Sequence, residues 1–276
     1  MINSRKIYKE TSIGKIQQGY IFNHAVSEDY LESEVYGIII TPRCDIENEK
    51  ILTFHYLPLV KLEDWLLKDY WYIFKKIIIK NLHQNINDIL TNNKISKNLI
   101  GVFPLEEIKD KIKSKIKGKK QQEKFCCLLE WFKIILETQD IVTKEFLKKI
   151  HQNKTFLKIS NSIIKELTQS NQKDFYLVED WDDRDGYYVI LLREIQKVSW
   201  ELGVKIANGV NCNDLNNETF QKNDIKNVPD GFIYPIKVLD SPFVEHLIQK
   251  FFANFGRIGI IDHEPNLHDI IIQKYC

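Results

Sequence analysis

Hydrophobic and polar positions follow three regimes along this chain. In the first sixty residues the apolar positions come in short runs. Gln18-Gly-Tyr-Ile-Phe22 reads as a short strand, and the acidic stretch Ser27 to Val35 as a loop or hairpin. Tyr36 to Thr41 is apolar and β-branched, the pattern of a strand buried on both faces. Ile51 to Val60 is a third strand with Pro58 near its end. From Leu62 to Thr168 the period becomes helical. Leu62, Trp65, Leu66, Asp69, Tyr70, Ile73 and Phe74 recur at three- and four-residue steps. Phe125, Leu128, Leu129, Phe132, Ile135 and Leu136 do so within Gln121 to Gln139, and shorter helices follow at Lys144 to Ile150 and Ser160 to Leu167.

Strand signals return at Asp174 to Val178 and Tyr187 to Leu192, joined as a hairpin by the acidic turn Asp180 to Gly186. Gly203 to Pro229 reads as irregular and Gly231 to Leu239 as a strand. Asp240 or Ser241 then caps a helix with Pro242 in its first turn. Its apolar face carries Phe243, Val244, Leu247, Phe251, Phe252 and Phe255, Gly256 stops it, and Ile270 to Ile272 reads as a final strand. The expected fold is therefore α+β: a β-barrel or a strongly bent antiparallel sheet with a large helical insertion. Residues 1–60 and 170–276 would build the β-rich core, and 61–169 the insertion. The terminal helix would pack across the sheet.

Composition narrows the class. The chain has 276 residues and a net charge of +1, so no strong overall field draws it to nucleic acid or an anionic membrane. Its five cysteines are odd in number and form no C-x-x-C, which fits a reducing, cytoplasmic setting without disulfides or a zinc ribbon. The N-terminus lacks a signal-peptide core, and no apolar run is long enough to span a membrane. No P-loop, G-x-G-x-x-G, G-x-S-x-G or H-E-x-x-H occurs, and no cofactor is implied.

Candidate chemistry gathers after the second strand. Pro42 ends the ladder, leaving Arg43, Cys44 and Asp45 at the strand's C-terminal end: a guanidinium, a thiol and a carboxylate. Cys44 is equally readable as a buried small apolar residue, and Asp45 as a brace for the turn before Asn48. His263, His268 and Asp269 have loosely metal-like spacing but match no zinc or iron pattern, and His246 lies in the terminal helix. Asp180, Asp182, Asp183 and Asp185 lack the glutamate that would complete a calcium loop, so a solvated hairpin tip accounts for them. No metal is expected. The lysine run Lys109 to Lys120, with Ile108, Ile112 and Ile116 as its apolar stripe, reads as an amphipathic helix with a solvated face. Its functional reading is phosphate contact through Lys113, Lys117 and Lys120. Trp65, Tyr70, Trp71, Tyr72 and Phe74 read as helix packing or as a stacking surface.

Gly19 to Phe22, Tyr36 to Thr41 and Phe54 to Val60, in that order, resemble the opening of PemK/MazF-like proteins. That resemblance implies an SH3-like barrel and endoribonuclease activity on single-stranded RNA. The chain departs from the family pattern in three places: Tyr20 replaces the acidic residue, no Arg-Pro pair precedes Tyr36, and Val60 replaces a hydroxyl residue. Thr41-Pro-Arg-Cys-Asp45 and Ser241 to Gly259 also resemble elements of uncharacterised bacterial proteins associated with conflict and phage defence.

Three functional expectations follow. The first is a PemK-like nucleic-acid-binding module of a defence or toxin–antitoxin system. There Arg43 would neutralise phosphate, Asp45 or His55 would act as base, and the lysines would extend the track. The second is a non-catalytic adaptor whose aromatics around Trp71 dock the product of a neighbouring gene. The third is a Cys44-dependent enzyme. The sequence leaves catalysis, substrate and oligomeric state open.

Overall fold

A computed structural model describes residues 7–181, 186–215, 225–226 and 230–255. Its centre is an eight-stranded antiparallel sheet that curls strongly into a half-barrel, the bent form of the expected sheet. The strands run β1 (Tyr8–Lys9), β10 (Pro235–Leu239), β2 (Tyr20–Phe22), β3 (Val35–Ile39), β4 (Thr53–Lys61), β6 (Tyr187–Leu191) and β5 (Phe175–Glu179). A further strand, β7 (Gln196–Ser199), pairs with the first half of β4. β8 (Val210–Asn211) and β9 (Phe232–Ile233) form a separate two-stranded ladder. Both ends of the chain thus build one sheet, with β10 inserted between β1 and β2.

Pro58 lies mid-strand rather than near the strand's end. It sits where the outer edge of β4 passes from β7, which stops at Tyr56, to β6, which starts at Leu59. A residue without a donor is tolerated at that gap. On the other side Pro58 faces Gly37, which also faces Phe22. A Cβ on Gly37 would stand 2.5 Å from the Phe22 ring, so only glycine lets that ring cross the strand.

β3 is buried on both faces, as its β-branched run predicts. Tyr36, Ile38, Leu57 and Leu59 point to one side, where Val244, Leu247 and Phe251 of α10 (Phe243–Phe255) cover them. Phe252, expected on that face, is exposed instead, because it falls one step round the helix from Phe251. Gly256 and Ile270 to Ile272 lie outside the described residues, as does the Phe255 side chain.

The opposite face carries Phe22, Val35, Ile39, Phe54, Tyr56 and Val60 and meets the helical segment. α2 (Leu62–Trp65), a π turn (Leu66–Tyr70) and α3 (Trp71–Asn92) follow one another without a gap. After them come α4 (Leu99–Val102), α5 (Leu105–Lys113), α6 (Lys119–Glu137), α7 (Lys144–His151) and α8 (Lys154–Thr168). α9 (Trp200–Asn208) occupies the start of a stretch expected to be irregular. Ser199 caps it, its hydroxyl accepting from Leu202 N, and Leu202, Ile206 and Ala207 are buried. Trp65, Tyr70, Trp71 and Phe74 are fully buried, so this aromatic cluster is core, and Tyr72 is its exposed member. No helix among the described residues is long and apolar enough to cross a membrane.

Two polar groups are set into the helical layer and behind it, the first half-buried. His151 sits with Tyr70 Oη and Ser160 Oγ at 2.9 and 3.2 Å from its Nε2. Burial disfavours the imidazolium and lowers its pKa below the ordinary 6.5. The unfolded chain therefore binds this proton more readily. Stability from the neutral ring is complete above about pH 6.5 and is lost as the pH falls through the lowered folded-state value. Urea midpoints at pH 7.5 and 5.5 should diverge more for the wild type than for His151→Gln. Equal divergence would assign the acid sensitivity elsewhere.

The second group joins three segments. The π turn sets Asp69 inward, four residues after Trp65 on the same core-facing stripe. Tyr30 Oη donates to Asp69 Oδ2 at 2.7 Å, and Arg193 donates to Asp69 Oδ1 at 2.9 Å and to Asp29 Oδ2 at 2.7 Å. The guanidinium also lies over the Phe175 ring, 5.0 Å from its centroid. Burial opposes the charge on Arg193, but the two carboxylates outweigh it and raise its pKa. Burial, reinforced by Asp69, raises that of Tyr30, keeping the phenol a donor.

Candidate functional site

β3 ends at Ile39, two residues short of the expected Thr41, although Ile40 N still donates to His55 O, and the residues after Pro42 turn at once into a short helix, α1 (Arg43–Glu47). Pro42 O accepts from both Asp45 N and Ile46 N, and buried Ile46 pins the helix to the core. Arg43, Cys44 and Asp45 thus stand on a helical turn at the sheet's end. Cys44 is exposed, which overturns its reading as a buried small apolar residue. The α1 turn leaves only Ile46 facing inward, so the thiol points away from the core. Cys44 Sγ donates to Asp45 Oδ1 at 3.5 Å. The Arg43 guanidinium donates to Glu245 Oε1 of α10 at 3.2 Å.

His55 is exposed on β4, paired in register with Lys197 of β7. Its backbone N donates to Thr41 Oγ1 at 2.8 Å, two residues before Arg43. No hydrogen bond joins its ring to Arg43, Cys44 or Asp45, and none joins a histidine to Cys44, among the described residues. The sheet end therefore gathers the predicted groups, with Arg43 bonded to Glu245 and Cys44 to Asp45. A cleft of about 560 Å³ lies behind α1, lined by Ile16, Ile46, Phe54 and Trp200 with Lys15, Glu47 and Glu49. Arg43, Cys44, Asp45 and His55 are not part of its wall.

The lysine run is not one helix. α5 ends at Lys113, and Gly118, at φ +86°, reverses the chain into α6. A left-handed backbone angle suits glycine and stops the continuous helix expected from the isoleucine stripe. The stripe itself holds: Ile108, Ile112 and Ile116 are all buried. The turn is fastened to the end of α3, where Lys117 N donates to Asn93 Oδ1 at 2.8 Å. This brings Lys94 and Lys97, which follow α3, to the same tip as Lys113, Lys115, Lys117, Lys119, Lys120 and Lys124. All eight are exposed, and Glu123 is the one acidic residue in residues 93–98 and 113–124.

Lysines just outside the tip are neutralised: Lys109 pairs with Glu130, Lys111 with Glu107, and Lys133 with Glu106. Among the described residues none of the eight tip lysines makes an ion pair. The 22 residues of α3 span about 33 Å, so the tip stands that far from the helix's start beside the sheet. Lys113, Lys117 and Lys120 are thus brought together with one another and separated from the Arg43 turn. Sequence reasoning missed Lys94 and Lys97, whose place depends on the contact of Asn93 with Lys117, 24 positions away in the chain.

No three histidine, cysteine, aspartate or glutamate side chains stand close enough to share a metal ion among the described residues. His246 meets Tyr176 Oη, which lies 3.0 Å from its Nδ1. His263, His268, Asp269, Asp182, Asp183 and Asp185 lie outside the described residues. Comparison with protein-family models, with curated proteins and with solved structures returns no match.

Proposed function

We propose that this chain is a nucleic-acid-binding component of a bacterial conflict or phage-defence system. It contacts the phosphate backbone of RNA or DNA through its lysine tip, and it binds without cleaving. The observation that carries this reading is the set of eight exposed tip lysines with no ion pair among the described residues, beside lysines that are each paired. Uncompensated ammonium groups on a protruding turn attract a polyanion by releasing its counterions. They supply affinity without base choice. The defence setting rests on the resemblance of Thr41 to Asp45 and of the terminal helix. The arrangement at the sheet end supports binding without cleavage. Arg43 is engaged by Glu245, and the His55 ring has no hydrogen bond to Asp45.

The test is binding of labelled single-stranded RNA and DNA across a salt series, with a gel readout of strand integrity. The wild type should bind at low salt and leave the strands intact. The triple variant Lys113→Gln/Lys117→Gln/Lys120→Gln should bind more weakly, and its log–log salt slope should fall by about 2, from roughly 0.7 per phosphate contact on a single strand. An unchanged slope would remove the tip from the interface. Cleavage abolished by Arg43→Ala or His55→Ala would restore the nuclease reading.

A further inference from the structure

A second surface, lined in part by the π turn, carries the opposite charge. Loop residues 28–33 and the start of the helical segment enclose a groove of about 340 Å³. Leu31, Leu67 and Ile141 form its apolar lining, and Leu31 and Ile141 are 66% and 60% exposed. Glu28, Asp29, Glu32 and Asp64 stand around them against a single lining lysine, Lys68, which is drawn over the Tyr30 ring 4.7 Å from its centroid. Large aliphatic side chains this exposed, beside one another and ringed by charge, mark a contact surface.

The walls are preformed. Arg193 holds Asp29, Tyr30 is bonded to buried Asp69, and Lys226 Nζ donates to Leu31 O and Ser33 O. The opposite wall is tied by Val142 N donating to Leu67 O. A groove held from both sides loses little freedom when filled. Its volume suits one or two side chains, so its occupant is a short linear segment rather than a domain face.

We propose that this groove docks a short basic segment of a partner protein. An apolar side chain of the segment would sit among Leu31, Leu67 and Ile141, and flanking lysines or arginines would meet Glu28, Glu32 and Asp64. Charge complementarity selects this occupant: with Asp29 already paired to Arg193, Glu28, Glu32 and Asp64 still outnumber Lys68 in the lining, and this excess disfavours an acidic segment and a nucleic acid alike. The surface is separate from the lysine tip, so the chain could hold a polyanion and a cationic partner at once.

The probe is a displayed library of random twelve-residue peptides selected on the full chain. Recovered peptides should carry two or more basic residues flanking a large apolar one. Their affinity should fall at least tenfold in Ile141→Glu and in Glu32→Lys, both exposed positions, and should be unchanged in the lysine-tip triple variant. Matching thermal melts for the variants would show that folding is intact. Three results would overturn the proposal: no enrichment, enrichment of neutral or acidic peptides, or affinity indifferent to both groove variants. Concentration-dependent dimerisation lost in Ile141→Glu would overturn it in favour of a second copy of this chain.

Discussion

Arg193→Met is expected to lower the unfolding free energy by about 3 kcal/mol, although Arg193 does not itself line either candidate surface. Removing one partner of a buried ion pair costs roughly 3–5 kcal/mol, because the remaining charge has lost its compensation. Here that remnant is Asp69, whose side chain is 8% exposed. Arg193 is itself 34% exposed and solvent already screens part of the interaction, which places the effect at the lower end. Tyr30 continues to donate one hydrogen bond but cannot neutralise the carboxylate. A second change separates charge from packing. Arg193→Met/Asp69→Asn removes the stranded charge and keeps an acceptor for Tyr30, so the double variant should recover a large part of the loss. Urea unfolding of the wild type, both single variants and the double variant completes the cycle. Additive losses would mean that the two side chains act independently and that the pair is not the clamp between the loop, the π turn and β6.

Trp71→Ala is expected to cost about 3–5 kcal/mol, the range for deleting a buried aromatic side chain. Trp71 is fully buried, packs on Phe74 at 5.8 Å and edge-on against Phe146 at 5.3 Å between ring centroids. Its indole Nε1 donates to Gln139 O at 2.9 Å, so truncation also orphans a carbonyl. The neighbouring Tyr72→Ala should change stability by less than about 0.5 kcal/mol, because that ring is exposed. The pair of melts distinguishes a core residue from an interface anchor. A Trp71→Ala variant as stable as the wild type would return Trp71 to the surface role that its sequence neighbourhood also allowed.

The candidate surfaces depend on these two contacts in different ways. Arg193 holds one wall of the acidic groove through Asp29, so its loss should loosen the groove as well as the fold. Trp71 lies in the layer from which α3 projects toward the lysine tip. Arg193 could not be assigned a role from its neighbours in sequence, whereas Trp71 was readable there as helix packing or as a stacking surface, and its burial decides for packing.

The alternation and period of the chain by themselves determined the class and the division. Short apolar runs at both ends build one bent antiparallel sheet, and the three- and four-residue stripe between them forms helices. They did so because burial acts locally on face periodicity: β3, the isoleucine stripe of α5 and the Val244, Leu247 and Phe251 side of α10 each follow their own pattern. Asp69 was legible as a residue on the core-facing stripe, though not as the partner of Arg193. What tertiary structure alone decided is which polar groups meet. Arg43 finds Glu245 across 202 positions, Arg193 finds Asp69 across 124, and Asn93 gathers lysines from two turns into one tip. Such contacts are set by the sheet order and by where a helix ends, and a one-dimensional pattern carries no distance between residues so far apart. Adjacency in sequence likewise brought Arg43, Asp45 and His55 to one end of the sheet, but the partner Arg43 finds there is Glu245, from the far end of the chain.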